Sequence, residues 1–498
     1  MAVPDECFPA SRIGVYHRMM HRPPWLRRPG TPPPIVGVPP LIVALLATLA
    51  FGVGPISAEA QLPAGLGAET FDAAWSLVRD SHFDPEMRGL DWEAVRVELR
   101  PRAAAASGPE DLRTVLAEML GRLGDSHFAV IPEASAEVFE SATSASSASA
   151  SEGGGDSEPG ILLRWIDHQL VVAEIREGSP ADREGVGTGW IVLAIAGTPV
   201  DSLVAQVRAG APMGQEERHL ALWVPMTARA RLTGLEGSRV QLQLRDALDE
   251  ELVLELEREP PAGVAVTFGD LPVARLQVDH RVVTFEDGRR IGVLRLSAWF
   301  PPALALVSAA MEELRELDGI VLDLRGNPGG LAAMAMGIGG HFVGDAASLG
   351  TLTTRDAVLR FPINPQRVAA DGRRVEPFEG PLALVVDPLT ASTSEVFAGG
   401  MQGLDRARVF GEPTAGQALP ALVSGLPNGD RLLHAIADFT GPNGSRLEGR
   451  GVIPDVAAPP TRAALLAGRD PALDAAMDWL RSRDVGPGPP SPLLEIPH

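Results

Sequence analysis

The chain reads as an α/β protein: a core built on a substantially parallel sheet, preceded by a helical segment and interrupted by a small β-rich module. Three patterns predict this. From residue 264 to about 478, short apolar runs of strand length alternate with helical stretches, the order that βαβ units require. From residue 68 to 123 apolar residues recur at helical spacing, and from 160 to 258 short apolar runs are broken by turn residues. A length of 498 residues, 45% of them apolar, gives room for two or three such bodies.

The first 60 residues read as a signal peptide or N-terminal anchor. Arg22, Arg27 and Arg28 precede an apolar run from Leu41 to Val53, and Ala58-Glu-Ala60 supplies small residues for cleavage before Gln61. The pattern is already complete from Met19 or Met20. The apolar run is shorter than the roughly 20 residues a spanning helix needs. Export to the periplasm or cell envelope is expected, with membrane contact only through an uncleaved anchor. The single cysteine, Cys7, falls inside this leader, so a processed chain has no thiol for disulfides, metal binding or catalysis.

Residues 61–140 form the expected helical segment. Phe71, Trp75 and Val78 share one face, as do Leu112, Val115, Leu116, Met119 and Leu123, and Pro109-Glu-Asp111 marks a helix start. Residues 141–159 are rich in Ser, Ala and Gly and read as a flexible linker. In the module at 160–258, strands are expected near 161–166, 170–175, 190–194 and 240–244. In the core at 259–482, strands are expected near 291–296, 320–324 and 382–386. Helices are expected there near 304–317, 331–342, 394–404 and 471–480. Residues 483–498 are Pro-rich and are expected to be disordered.

Charge and composition exclude several functions. The formal net charge is -21, and all 43 basic residues are arginine, since the chain contains no lysine. No basic stripe is available for phosphate neutralisation, so nucleic-acid binding is not expected. A Walker-A loop and a Schiff-base lysine are excluded for want of an amine. No HExxH or similar ligand spacing occurs, and neither a metal nor another cofactor is expected.

Two strand-to-helix junctions carry the chemistry. Gly319-Ile-Val-Leu-Asp-Leu-Arg-Gly-Asn-Pro-Gly-Gly330 runs from a buried strand into a Gly-rich turn. Such a turn can offer backbone N–H groups to an anion, either a phosphate or a developing oxyanion. Leu382-Ala-Leu-Val-Val-Asp-Pro-Leu-Thr-Ala-Ser392-Thr-Ser-Glu395 places Ser392 at a helix start, where its hydroxyl could face outward. Taken alone, a Thr/Ser-rich helix start is usually just a cap, and it is the presence of both junctions in one α/β domain downstream of the module that favours the nucleophile. Asp323 and Arg325 read as structural, pinning the strand end by a charge-assisted bond.

In the module, Gly178-Ser-Pro-Ala-Asp-Arg-Glu-Gly185, Gly189-Trp-Ile-Val-Leu-Ala-Ile-Ala-Gly197 and Thr198-Pro-Val200 resemble a PDZ domain of the bacterial protease type. The resemblance implies capture of an extended peptide at a sheet edge, with its terminal carboxylate held by a loop that includes Gly160, Ile161 and Leu162. Over residues 68–460 the chain resembles the serine peptidases that include the carboxyl-terminal processing proteases, tricorn protease and the repeats of interphotoreceptor retinoid-binding protein. The motifs are Asp-Leu-Arg-Gly-Asn-Pro-Gly-Gly330, Thr-Ala-Ser392-Thr-Ser-Glu395 and Gly411-Glu-Pro-Thr-Ala-Gly-Gln417. The implied fold is a crotonase/ClpP-like β-α core carrying an inserted PDZ domain.

The resemblance implies Ser392 as nucleophile. The processing proteases pair it with a lysine at the position of Gln417, and a glutamine at that of Ala421, so a Ser–Lys mechanism is ruled out here. The tricorn-like branch uses histidine. Ser126-His127 in Leu123-Gly-Asp-Ser-His-Phe128 matches its base motif, and Glu448-Gly-Arg-Gly-Val-Ile-Pro-Asp455 matches its glutamate motif. His127 would take the Ser392 proton, Glu448 would fix the ring tautomer, and Ser126 would support the network. Thr393 N–H, with that of Gly329 or Gly330, would form the oxyanion hole. His341 and His434 are rival bases outside any motif.

The expected function is an exported serine endopeptidase acting on polypeptides, with the module engaging substrate C-terminal segments. Two alternatives stand beside it. One is a non-catalytic peptide- or lipophile-binding protein of the same fold. The other is an esterase or amidase acting on small molecules. The sequence does not specify an oligomeric state.

Overall fold

The computed structural model describes residues 62–132, 156–211, 214–266, 274–369 and 371–483. The expected leader, most of the expected linker and the expected tail lie outside these residues.

The N-terminal segment is three helices, α1 (Leu66–Ser81), α2 (Trp92–Ala104) and α3 (Pro109–Gly121). Pro109 begins α3, where its missing N–H costs nothing. Phe71, Trp75, Val78, Leu99, Leu112, Leu116 and Met119 close into one apolar cluster, as their helical spacing predicts. The chain then passes the His127 motif into a short strand, β1 (Ala129–Ile131).

The inserted module carries β2 (Ile161–Ile166), β3 (Gln169–Ile175), β4 (Ile191–Ile195), α4 (Val200–Ala209), α5 (Glu216–Leu232), β5 (Arg239–Arg245) and β6 (Glu251–Glu257). Its strands form an antiparallel path β2-β3-β4-β5-β6, which leaves β2 at an edge. Two departures from expectation appear. The ordered module begins before residue 160, since Ser157 exchanges backbone bonds with Gly234, at 3.2 and 2.9 Å, and Glu158 pairs with Glu259. It also contains the 17-residue helix α5, which the strand-like alternation of Leu220, Leu222, Val224, Met226 and Ala228 conceals.

The core sheet has the order β7 (Val278–Thr284), β8 (Arg290–Leu296), β9 (Gly319–Asp323), β12 (Leu382–Val386), β13 (Ala407–Gly411) and β17 (Val456–Ala457). Only the β7/β8 pair is antiparallel. Every residue of β9 and β12 is buried, the pattern of a parallel sheet covered on both faces. Side-chain alternation assigns the two layers. Ile320, Leu322, Leu382 and Leu384 face α6 (Pro302–Leu314), α7 (Ala332–Gly339) and α8 (Thr393–Gly403). Val321, Ala383 and Val385 face α10 (Pro471–Arg481), where they meet Ala476 and Leu480.

Two small antiparallel sheets flank this core. One joins β11 (Val358–Pro362), β10 (Ser348–Thr354) and β16 (Ala437–Thr440). The other joins β1 to β15 (Arg431–Ala435) and β14 (Ala421–Gly425). Ala129 pairs with Leu433, so the strand after His127 is stitched to the far end of the chain. A short helix, α9 (Arg462–Leu466), fastens the module: Arg462 Nε donates to Gly189 O at 3.0 Å and Thr188 Oγ1 donates to Leu465 O at 3.0 Å.

Candidate active site

Ser392 stands at the N-terminus of α8, just past the C-terminal end of β12. Its backbone is strained, with φ 55° and ψ -120°, a combination that non-glycine residues hold only when their surroundings enforce it. The enforcement is visible. Asp387 Oδ1 accepts from Leu389 N, Thr390 Oγ1 and Gly326 N, each at 3.0 Å. Ala391 N donates to Asn327 O at 3.1 Å, and Thr393 Oγ1 donates to Gly330 O at 2.7 Å. The Ser392 loop and the Gly-rich turn after β9 are thus laced into one unit.

That unit offers two backbone donors. Among the described residues the N–H groups of Thr393 and Gly330 carry no hydrogen bond, whereas Gly329 N already donates to Asn327 Oδ1 at 2.9 Å. Of the two glycines, only Gly330 therefore has an N–H to offer beside Thr393. Gly329 matters by lacking a side chain: a Cβ there, at φ +104°, would lie 2.7 Å from Ser392 Cβ and 3.1 Å from Thr393 N.

The histidine arm enters through β1. His127 is 6% exposed and Glu448 8%. Ser126 Oγ lies 2.5 Å from His127 Nδ1 and 3.0 Å from Glu448 Oε2. Glu448 Oε1 also accepts from Ser126 N at 2.9 Å, and Oε2 from Ala418 N at 2.9 Å. Glu448 reaches the ring through Ser126, which stands between them. A serine hydroxyl has one proton. Donated to an ionised Glu448, that proton leaves Ser126 Oγ to accept from His127 Nδ1–H, so Nε2 keeps a free lone pair. Burial lowers the His127 pKa to about 3 and raises the Glu448 carboxyl to about 7.

His127 Nε2 is buried and has no hydrogen-bond partner among the described residues. The bond to Ser392 Oγ is therefore not made in this conformation, although the ring is enclosed rather than turned into solvent. Helix α5 covers the neighbouring loops. Its Leu222 and Met226 pack on Ala391 and Ala415, with Leu389 alongside. Arg218 Nη2 donates to Arg450 O at 2.6 Å, and Nη1 donates to Gly449 O. One helix of the module thus rests on the Ser392 loop, the Gln417 loop and the Glu448 loop, and Ser392 is only 8% exposed. From β2, Arg164 forms a buried ion pair with Asp387, the anchor of the Ser392 loop.

The remaining residues singled out from sequence lie elsewhere. His434 holds Ser81 Oγ at 2.8 Å and Ser424 Oγ at 2.9 Å, occupying both ring nitrogens. His341 Nε2 meets Ser308 Oγ at 3.1 Å. Arg325 forks onto Asp323, with Nε at 2.9 Å and Nη2 at 2.7 Å from its two oxygens. Gly160, at φ +84°, sits so close to Ser179 that a Cβ would fall 2.3 Å from Ser179 Cβ, and Ile161 and Leu162 open the edge strand β2. Among the described residues no three His, Cys, Asp or Glu side chains cluster as a metal site. Sequence reasoning missed Arg164, Arg218 and the role of Glu395, although the Ser-x-x-Glu spacing of a capping box was there to be read.

Comparison with known proteins agrees with this architecture. Residues 290–458 match Peptidase family S41, and residues 68–121 match the tricorn protease C1 domain. The chain is 25% identical over 397 residues to carboxyl-terminal-processing peptidase 3, chloroplastic, of Arabidopsis thaliana, covering 78% of this chain and 68% of that one. It is 26% identical over 388 residues to the carboxyl-terminal-processing protease of Synechocystis, covering 77% and 78% of the two chains. A solved photosystem II D1 C-terminal processing protease superposes with a TM-score of 0.53 at 20% identity, over 84% of this chain and 97% of the other, and shows the shared fold.

Proposed function

We propose that this chain, a serine-type peptidase that belongs to peptidase family S41, is an exported endopeptidase working through Ser392, His127, Ser126 and Glu448. The observation that carries the reading is the bridge of Ser126 between His127 Nδ1 and Glu448, which leaves Nε2 buried, neutral and free to accept a proton. Ser392 Oγ would give its proton to Nε2 as it attacks the scissile carbonyl carbon. The resulting imidazolium would donate through Nδ1–H to Ser126 Oγ, whose own proton lies toward Glu448. Thr393 N–H and Gly330 N–H would receive the oxyanion. Nε2–H would then protonate the leaving amine, and water would hydrolyse the acyl-enzyme by the same steps reversed.

The substrate is a polypeptide held in extended form. The module acts as the PDZ-like receptor, its edge strand β2 accepting the substrate's C-terminal segment and the Gly160-Ile161-Leu162 turn its carboxylate. Since α5 packs on Ala391 beside the buried Ser392, substrate entry would require the module to shift, and that shift would let Ser392 Oγ and His127 Nε2 meet.

A fluorophosphonate probe tests the assignment. Labelling of the parent should be lost in Ser392→Ala and largely lost in His127→Ala; parental labelling in His127→Ala would refute the histidine base. Digestion of one polypeptide with free and with amidated C-terminus tests the receptor role, which predicts slower cleavage of the amide.

A further inference from the structure

Glu395 is fully buried, and its carboxylate is saturated with donors. Oε1 accepts from Gly416 N at 2.7 Å and Thr414 Oγ1 at 2.5 Å; Oε2 accepts from Gln417 N at 2.9 Å and Ser392 N at 3.0 Å. Burial pushes the Glu395 carboxyl above its ordinary range, and the four converging donors pull against that: a proton on either oxygen would oppose one of them, so the cage is built for the ionised form.

The next amide along the same strip turns to the other carboxylate. Ala418 N donates to Glu448 Oε2 at 2.9 Å. Three consecutive N–H groups, 416 to 418, are therefore divided between the glutamate of the nucleophile helix and the glutamate of the histidine arm. Further bonds lock the strip to the Glu448 loop: Gly449 N to Gly416 O at 2.8 Å and Val452 N to Thr414 Oγ1 at 2.7 Å. Ser392 N also reaches Gln417 O at 2.9 Å. Strip 414–418 thus touches the Ser392 backbone, Glu395 and Glu448 together.

We propose that Glu395 is a positioning residue of the reaction: its charged carboxylate holds the Ser392 backbone and the 414–418 strip in register, and through Ala418 sets the Glu448–Ser126–His127 arm against the nucleophile. The inference rests on the function proposed above and assigns Glu395 a task beyond capping α8. Its charge has a second effect. Burial is the main force raising the Glu448 pKa, and the neighbouring Glu395 charge adds to it. Around Glu448 the other facing groups are Ser126 and His127 from the β1 side, Ala418 N from the strip, and Arg446, which reaches only its backbone carbonyl at 3.4 Å. Arg218 binds the next carbonyls of that loop.

The test compares kcat/KM against pH for the parent, Glu395→Gln and Glu395→Asp, with His127→Ala alongside. Glu395→Gln turns an NH₂ toward two donors and should lower the plateau roughly 10- to 100-fold. It should also move the acid limb to lower pH, because a like charge has left Glu448. Glu395→Asp keeps the charge but shortens the reach, so its plateau should fall while the limb stays at the parental pH. A capping role alone would lower both plateaus and move neither limb, and that result overturns the proposal. If Glu395→Gln does not fold, Thr414→Val tests the same cage with the charge retained: a lower kcat at parental KM supports the proposal, and an unchanged kcat overturns it. Activity in His127→Ala would instead remove the proposed function itself, whatever the Glu395 variants do.

Discussion

Ser126→Ala isolates the bridge on which the proposed mechanism turns. The change removes one oxygen that contacts His127 Nδ1 at 2.5 Å and Glu448 Oε2 at 3.0 Å. Glu448 keeps Ser126 N and Ala418 N, both backbone donors at 2.9 Å, so the loop should hold its course. His127 does not fare as well: its ring is 6% exposed, and Nδ1–H is left with no acceptor. A buried donor without a partner costs about 1–3 kcal/mol, and at 1.4 kcal/mol per decade that is roughly 5- to 100-fold in rate. The loss should fall on kcat, because Ser126 touches no substrate, and KM should stay near the parental value. Removing a donor from Glu448 should also raise its pKa further, moving the acid limb upward. Steady-state kinetics on a fluorogenic polypeptide, the fluorophosphonate labelling rate and a melting curve make the measurement. A kcat within about twofold of the parent at unchanged Tm would show that Ser126 does not couple Glu448 to the base. An equal rise in KM would place it in substrate binding instead.

Three further outcomes follow from the geometry. Glu448 must be ionised to accept its three donors, and burial raises its pKa to about 7; activity should therefore be full well above pH 7 and decline as pH falls through about 7, whereas a rate flat down to pH 5 would contradict this. Gly329→Ala forces a side chain onto Ser392 Cβ at φ +104°; with strain of about 1–3 kcal/mol, activity should drop by roughly 100-fold while fluorescence and melting show a folded chain. The double change Leu222→Ala and Met226→Ala thins the contact of α5 with Ala391 and Ala415, and a loss of at least about 4 kcal/mol, about 2 for each truncation, should speed fluorophosphonate labelling of Ser392; slower labelling would mean that α5 supports the site rather than covering it.

Legibility in the sequence followed the range of the interactions. Strands β9 and β12 were readable because a strand buried on both faces is a continuous apolar run. The sheets β1-β15-β14 and β11-β10-β16 were not, because β1 is three residues long and β11 is mostly exposed. Their pairing is a long-range fact with no local pattern. Helix α5 escaped for a different reason: it is buried on the module side by Leu220 and Val224 and on the core side by Leu222 and Met226. Two buried faces erase the single apolar stripe that marks a surface helix, and Pro225 within it adds a false break. In the site, residue identities came from motifs, but the course of each bond did not. That Ser126 separates Glu448 from the ring, and that Asn327 consumes the Gly329 N–H, depends on angstrom-scale placement that spacing does not encode.

The pairing of β1 with β15 has a consequence for the order in which the molecule is made. During synthesis the ring of His127 emerges long before Ser392, and the strand that fastens it, residues 431–435, emerges after both. A nascent chain that has not reached residue 431 therefore holds His127 and Ser392 but lacks both this strand and Glu448. On the proposed assignment, the histidine and the serine can be brought into line only once that small sheet has closed.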